Sequence, residues 1–163
     1  MRKGQTAMEY LMTYGWAILI VIIVAGALYA LGVFNPATYT QEGATGFSSV
    51  GAPAPGSWQL KTDGSFVVLL KNNLPNTINI TAATVKLGNV ECSTIRVNNQ
   101  NPATNPVGPI GTGADFNITA TCTNAPSTAG SAYSISVTLT YDNLDTGLTD
   151  FTDSGTLTGK TSG

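Results

Sequence analysis

Residues 11–34 read LMTYGWAILIVIIVAGALYALGVF and contain no charged side chain. As a helix this stretch is about 36 Å long at 1.5 Å per residue, and the hydrocarbon core of a bilayer is about 30 Å thick. Its centre, residues 18–24 (ILIVIIV), is apolar on every side. It must therefore be surrounded by lipid, by other helices, or by lipid at one stage and by helices at another. The stretch therefore predicts a membrane-spanning or bundle-forming helix. We expect it to end at Asn35, because the residue before a proline is disfavoured in the α conformation.

Small side chains form one stripe on this predicted helix. Gly26 and Ala30 are four positions apart, so they lie one above the other on the same face. Such a stripe allows a neighbouring helix to approach closely, but it also belongs to the ordinary composition of membrane helices. Both interpretations remain open at this point.

The composition of the 163-residue chain excludes several classes of function. Charged residues make up only 10%, against roughly 25% in soluble domains, while 24 Thr and 13 Asn predict a neutral polar surface. The chain has no His, so no His-dependent catalytic triad can be built, and its two Cys alone would leave a zinc site incomplete. The net charge of −2 argues against nucleic-acid binding, because basic patches are needed to neutralise phosphates. We expect no catalytic activity, no metal and no cofactor.

From residue 58 onward, apolar side chains recur at every second position. Residues 116–122 and 133–141 alternate apolar and polar side chains, as in strands that are buried on one face. The phase of the alternation slips across residues 82–84, which predicts a β-bulge. Residues 66–70 (FVVLL) are continuously apolar and predict a central strand buried on both faces. Shorter candidate strands are residues 58–62, 90–97 and 147–157.

Six or seven such strands, separated by turns rich in Gly, Pro and Asn, predict an antiparallel immunoglobulin-like β-sandwich. The predicted fold class is α+β, with a long N-terminal hydrophobic α-helix followed by this sandwich. Residues 43–57 (GATGFSSVGAPAPGS) predict a linker or long loop between the two parts. The acid-rich stretch around Asp142 and Asp145 is expected to be a solvated turn, because Leu144 occupies a position where a calcium loop needs an oxygen ligand.

The two cysteines, Cys92 and Cys122, lie within the predicted β region. Cys122 shares the apolar face of Phe116 and Ile118, so its side chain is expected in the core. A disulfide between the cysteines would stabilise the fold by about 3–4 kcal/mol on the loop-entropy model. Two free thiols in a reducing compartment are the alternative. An even number of cysteines beside an N-terminal export segment favours the disulfide.

Two Asn-x-Thr sequons, beginning at Asn79 and Asn117, are candidates for N-glycosylation. Each Asn falls on the predicted polar face of its strand, where a glycan would extend into solvent. Such triplets also arise by chance in a chain rich in Thr and Asn, so each alone is a weak motif.

The N-terminal residues allow more than one interpretation. Arg2 and Lys3, the apolar run and the sequence Ala-Gly-Ala at residues 25–27 are together typical of a secretory signal peptide that is cleaved after Ala27. A membrane anchor with Arg2 and Lys3 on the cytoplasmic side is a second interpretation. Glu9 argues against the secretory signal peptide, because a signal peptide has no need of an acid before its apolar core.

A third interpretation accounts for more residues. Residues 2–11 read RKGQTAMEYL and lead directly into the apolar helix, and here the chain resembles the class III signal sequence of archaeal type IV pilins. In that family a prepilin peptidase cuts before the helix, so the resemblance implies a cut between Gly4 and Gln5 and places Glu9 at the fifth mature position. The family pattern is Gln-x-Ser-x-Glu, commonly followed by Tyr-Leu, and this chain has Ala7 where the serine is expected.

The resemblance implies a structural subunit of an extracellular archaeal type IV pilus that serves surface adhesion and polymerises into a homo-oligomeric helical filament. The implied partners are the prepilin peptidase and the pilus assembly machinery, and the cytoplasmic membrane holds the precursor before assembly. The predicted domains are residues 1–4 (cleaved signal), 5–34 (assembly or transmembrane helix), 35–57 (linker) and 58–163 (β-sandwich head). The predicted assembly residues are Glu9, Tyr10, Leu11, Gly26 and Ala30. The alternatives are an archaellum subunit, a membrane-anchored monomeric surface protein and a secreted β-domain binding module.

Overall fold

The computed structural model describes residues 3–35, 39–51 and 54–163, and of residues 3–6 and 11 it describes the backbone alone. The chain divides into two compact units, Met1–Tyr39 and Thr40–Gly163, and we call the second the β unit. Residues 1–2 of the predicted signal and residues 36–38 and 52–53 of the predicted linker lie outside the described residues. The architecture is α+β, with one N-terminal apolar helix followed by antiparallel sheets, as the sequence predicts.

The N-terminal unit contains helix α1 (Lys3–Ala30). Its stretch Ala7–Ala30, with 24 residues, is long and apolar enough to cross a membrane. Large apolar side chains on different sides of the helix, such as the successive residues Ile20, Val21 and Ile22, are exposed. The predicted apolar helix is therefore present, and its surface is available to lipid or to other helices.

A glycine, rather than the proline, ends helix α1. Gly32 adopts a left-handed conformation with a φ of 71°. The N–H of Val33 donates to the carbonyl oxygen of Leu28 at 3.1 Å, and the N–H of Gly32 donates to the carbonyl oxygen of residue 29 at 3.0 Å. These two hydrogen bonds form a Schellman motif, which satisfies carbonyl groups at the end of a helix. The expectation that the helix continues to Asn35 is therefore wrong.

Within its described residues, the β unit contains eleven strands: β1 (Gly43–Thr45), β2 (Val50–Gly51), β3 (Trp58–Leu60), β4 (Ser65–Asn72), β5 (Ile78–Leu87), β6 (Val90–Glu91), β7 (Ser93–Val97), β8 (Val107–Ile110), β9 (Asp115–Thr121), β10 (Ala132–Asn143) and β11 (Phe151–Lys160). Sheet A has the order β1-β11-β10-β5-β6, with β8 also paired to β5. Sheet B has the order β2-β4-β9-β7, with β3 also paired to β4. All of these strand pairs are antiparallel. The predicted number of six or seven is too low, because strands as short as β1, β2, β6 and β8 show no periodic pattern.

Both sheets contribute residues to one hydrophobic cluster. In β9 and β10 every second residue is buried, as the alternation predicts. β4 also alternates, because Val67 is 43% exposed and Leu69 is 39% exposed. The prediction that residues 66–70 are buried on both faces is therefore wrong. A continuous apolar run does not show whether a second layer covers the outer face, and here no such layer exists in the described part of the chain.

β5 contains the predicted bulge, slightly before the expected position. Thr140 of β10 lies opposite Ala82, whereas the next residue, Tyr141, lies opposite Ile80. Thr81 is thus the additional residue on β5. Before it the even-numbered residues Ile78 and Ile80 are buried, and after it the odd-numbered Val85 is buried.

The predicted strand over residues 90–97 is in fact two strands that belong to different sheets. β6 lies in sheet A and β7 in sheet B, with Cys92 between them. Cys92 forms a disulfide with Cys122, which follows β9, and both side chains are buried. The predicted disulfide is therefore present, and it fixes the point at which the chain passes from one sheet to the other.

Replacing both cysteines by alanine is expected to lower the free energy of unfolding by about 3–4 kcal/mol, because the open chain gains loop entropy in the unfolded state. The disulfide spans a sequence separation of 30. Urea unfolding of the oxidised wild type and of the double variant, followed by circular dichroism, measures the difference. Equal unfolding free energies would contradict the prediction.

Residues 40–51 belong to the β unit, although the sequence predicts a linker there. β1 pairs with β11, and β2 pairs with β4. Between β1 and β2, the carboxylate of Asp153 accepts hydrogen bonds from the backbone N–H groups of residues 48–50, and we call this arrangement the Asp153 clasp. The Phe47 ring lies so close to Gly155 that any side chain at that position would overlap it. The segment therefore closes an edge of each sheet.

Candidate functional site

The predicted cleavage junction between Gly4 and Gln5 lies in the first turns of helix α1. Gln5 and Glu9 are four residues apart within the helix, so their positions are about one turn apart on the same face. A new amino group on Gln5 would therefore lie one turn from the Glu9 carboxylate.

The residues around Glu9 form an exposed polar and aromatic patch. The Thr13 hydroxyl donates to the Glu9 carbonyl oxygen at 2.9 Å. The ring centroids of Tyr10 and Tyr14 are 4.1 Å apart, with the rings tilted by 34°. The side chain of Leu11 lies outside the described residues. Glu9 itself is exposed.

The predicted small-residue stripe has open space beside it. No atom lies within 4 Å of the point where a Cβ on Gly26 would stand, and Ala30 is exposed. Gly15 has the same open space and lies in a shallow hollow bordered by Trp16 and Leu19. Gly15 is not part of the predicted stripe of Gly26 and Ala30.

The two sequon asparagines lie on the outward sides of their strands. Asn79 in β5 and Asn117 in β9 are flanked in sequence by buried apolar residues, and both are partly exposed. The Oδ1 atom of each is buried and has no hydrogen-bond partner among the described residues. Asn79 packs against Gly108 of β8, whereas Asn117 lies opposite Leu69 of β4. The sequons thus share an outward position but differ in their neighbours.

The acid-rich stretch at residues 142–150 forms the turn between β10 and β11. The N–H of Thr77 donates to Asp145 Oδ2 at 2.8 Å. The N–H of Asp150 donates to Asp142 Oδ1 at 3.0 Å. Within the described ranges, no three His, Cys, Asp or Glu side chains come together as a metal site. These carboxylates therefore fix the turn by accepting backbone hydrogen bonds.

Two ionisable side chains of the β unit have shifted pKa values with local structural causes. Burial raises the pKa of Tyr133, a hydrogen bond with the Leu60 backbone opposes the shift, and the negative charge of Glu42 adds to it. The N–H of Ser65 donates to Asp63 at 2.8 Å and lowers the pKa of that carboxyl. Both shifts follow from the packing of strands and turns.

The geometry of helix α1 offers a surface for association. No family model, curated protein or solved structure matches this chain. Its interpretation therefore depends on its own residues. The described ranges provide an apolar helix that is exposed on all sides, an acid near the start of that helix and a separately folded β unit. Such a helix can be covered by lipid or by copies of itself.

Proposed function

We propose that this chain is a structural subunit of an extracellular archaeal type IV pilus and that it polymerises through helix α1. The observation that carries the proposal is the exposed apolar surface of Ala7–Ala30, directly preceded by the sequence RKGQT at residues 2–6. A helix that is apolar on every side needs an apolar environment all round. In the precursor this environment is the cytoplasmic membrane, and in the filament it is a bundle of neighbouring helices.

The proposed assembly begins with removal of residues 1–4 by a prepilin peptidase. The cut removes Arg2 and Lys3, so the helix loses the positive charges that hold its N-terminus in the cytoplasm. The new amino group of Gln5 pairs with Glu9 of its own chain or of an adjacent one. Repeated head-to-tail contacts that do not close then give an open helical filament. Glu9, Tyr10, Leu11, Gly26 and Ala30 are the proposed assembly residues.

The β unit is proposed to be an immunoglobulin-like sandwich that forms the outer surface of the filament and serves adhesion. Two antiparallel sheets that share one hydrophobic cluster support this fold. The disulfide between Cys92 and Cys122 suits an extracellular location, because disulfides persist in oxidising compartments. In this proposal the chain is structural, with no enzymatic role and no nucleic-acid partner.

The mass and N-terminal sequence of the protein, taken from mechanically sheared cell surfaces, test the proposal. We expect a mature chain that begins at Gln5, because peptidase cleavage precedes assembly. A Gly4→Leu variant should stay unprocessed and absent from the sheared fraction, whereas a Gly32→Asn variant, changed beyond the junction, should still be processed.

The other outcomes separate the alternatives. A chain that begins at Leu28 would identify a secreted β domain cleaved after the sequence Ala-Gly-Ala at residues 25–27. A chain that keeps Arg2 and Lys3 and leaves the membrane only with detergent would identify a monomeric anchored surface protein. Either result would refute the pilus proposal. If the chain does begin at Gln5, motility of cells that lack it separates an archaellum subunit from a pilus subunit.

A further inference from the structure

The outer face of sheet B carries an apolar strip that the proposed function does not use. The strip consists of Val67 and Leu69 on β4, which are 43% and 39% exposed. Val67 lies opposite Thr119 of β9, and Leu69 lies opposite Asn117. Residues directly opposite each other in an antiparallel pair have their Cβ atoms about 4.5–5.5 Å apart. The asparagine and the threonine of one sequon therefore lie beside the two exposed apolar residues, on the same face.

The other sequon is placed differently. Asn79 lies against the backbone of Gly108, so closely that a Cβ on this glycine would overlap the Asn79 Oδ1 atom. The hydroxyl of Thr81, the third residue of that sequon, donates to the carbonyl oxygen of Thr140 at 3.2 Å. Strand β8 thus occupies the space beside the Asn79 amide, whereas Asn117 faces a sheet surface that no described layer covers.

We propose that Asn117 carries an N-linked glycan whose first sugars cover Val67 and Leu69, and that Asn79 remains unmodified. The donor is a sugar linked through phosphate to a lipid carrier. The Asn117 Nδ2 atom forms a bond to the anomeric carbon, the bond from that carbon to the phosphate oxygen breaks, and the carrier phosphate leaves with the electron pair. The amide loses one proton.

The glycan has a physical reason to lie on this strip. Sugar rings present C–H groups on their faces, and these can pack against aliphatic side chains while the hydroxyl groups stay in water. An exposed apolar strip on a surface protein otherwise favours association with other molecules. The proposed glycan would therefore shield the strip from unwanted contacts.

The intact mass of the protein from its own host tests the site of modification. We expect the wild type to carry added glycan mass, Asn117→Gln and Thr119→Ala to lose all of it, and Asn79→Gln to keep all of it. Thr119→Ala leaves Asn117 in place, so the absence of glycan mass from this variant would show that the sequon is required. An unmodified wild type, or a loss of mass in Asn79→Gln, would overturn the proposal.

Binding of an apolar fluorescent dye tests the covering role. We expect the Asn117→Gln variant to bind anilinonaphthalene sulfonate severalfold more strongly than the wild type, in the folded protein and in the same detergent. Adding Val67→Thr and Leu69→Thr to this variant should return binding to the wild-type level. Equal dye binding by the wild type and by Asn117→Gln would overturn the covering role. Both measurements apply to membrane-held precursor as well as to filaments, so they do not depend on assembly.

Discussion

The Asp153→Ala variant is expected to lose about 3–5 kcal/mol of unfolding free energy, because it removes the acceptor of one buried N–H group, that of Val50, and of several partly buried donors. Asp153 is only 3% exposed. Its carboxylate accepts hydrogen bonds from the N–H groups of Ser49 and Val50, each at 2.7 Å. It also accepts from the N–H and hydroxyl groups of Ser48 and from the N–H of Ser154, at distances between 3.0 and 3.2 Å. The loss of this acceptor should release the segment between β1 and β2.

Urea unfolding followed by circular dichroism measures the loss, with Asp115→Ala as the matched control. Asp115 is exposed on β9, and removing such a surface carboxylate should change the unfolding free energy by less than about 0.5 kcal/mol. Asp153→Asn keeps one acceptor oxygen, so its unfolding free energy should lie between those of Asp153→Ala and Asp115→Ala. If Asp153→Ala were no less stable than Asp115→Ala, the clasp would have no part in stability.

The Glu9→Ala variant is expected to form no filaments while its β unit stays folded. Glu9 lies in helix α1, and the β unit is a separate compact unit that begins at Thr40. In the proposed filament the carboxylate neutralises the amino group of Gln5. Without it, each subunit would bring an unpaired charge into an apolar bundle, which costs several kcal/mol per subunit.

Electron microscopy of the cell surface and the amount of protein in the sheared fraction measure filament formation. Glu91→Ala removes an exposed acid from β6 and should leave filament yield at the wild-type level. Circular dichroism of the detergent-solubilised Glu9→Ala protein should show unchanged sheet content. Normal filaments from Glu9→Ala would refute the assembly role of this acid.

The elements that the sequence predicts well are those with a long regular pattern. Helix α1 is marked by its uncharged apolar run, and β9 and β10 by strict alternation. The linker prediction fails because β1 and β2 have only three and two residues, too few for a period, and because their partners lie far away in the sequence. The predicted end of the helix at Asn35 is too late, because Gly32 ends the helix four residues before Pro36.

For the candidate site, the sequence supplies the motifs but not their surroundings. The sequons at Asn79 and Asn117 look equivalent in the sequence. The fold brings Gly108 against Asn79 and Leu69 beside Asn117. The sequence does not show these neighbours, because strand pairing joins residues that are far apart in the chain. The cleavage junction and Glu9 are local features, so the sequence alone is enough to nominate them.

The pairing of β1 with β11 joins the first strand of the β unit to the last. Residues 43–45 therefore cannot complete sheet A until residues 156–158 have been synthesised. Contacts between such distant segments close a long loop and slow folding. The duration of translation thus sets the earliest moment at which β1 can join sheet A, whereas the strands of sheet B are all complete once residue 121 has been synthesised.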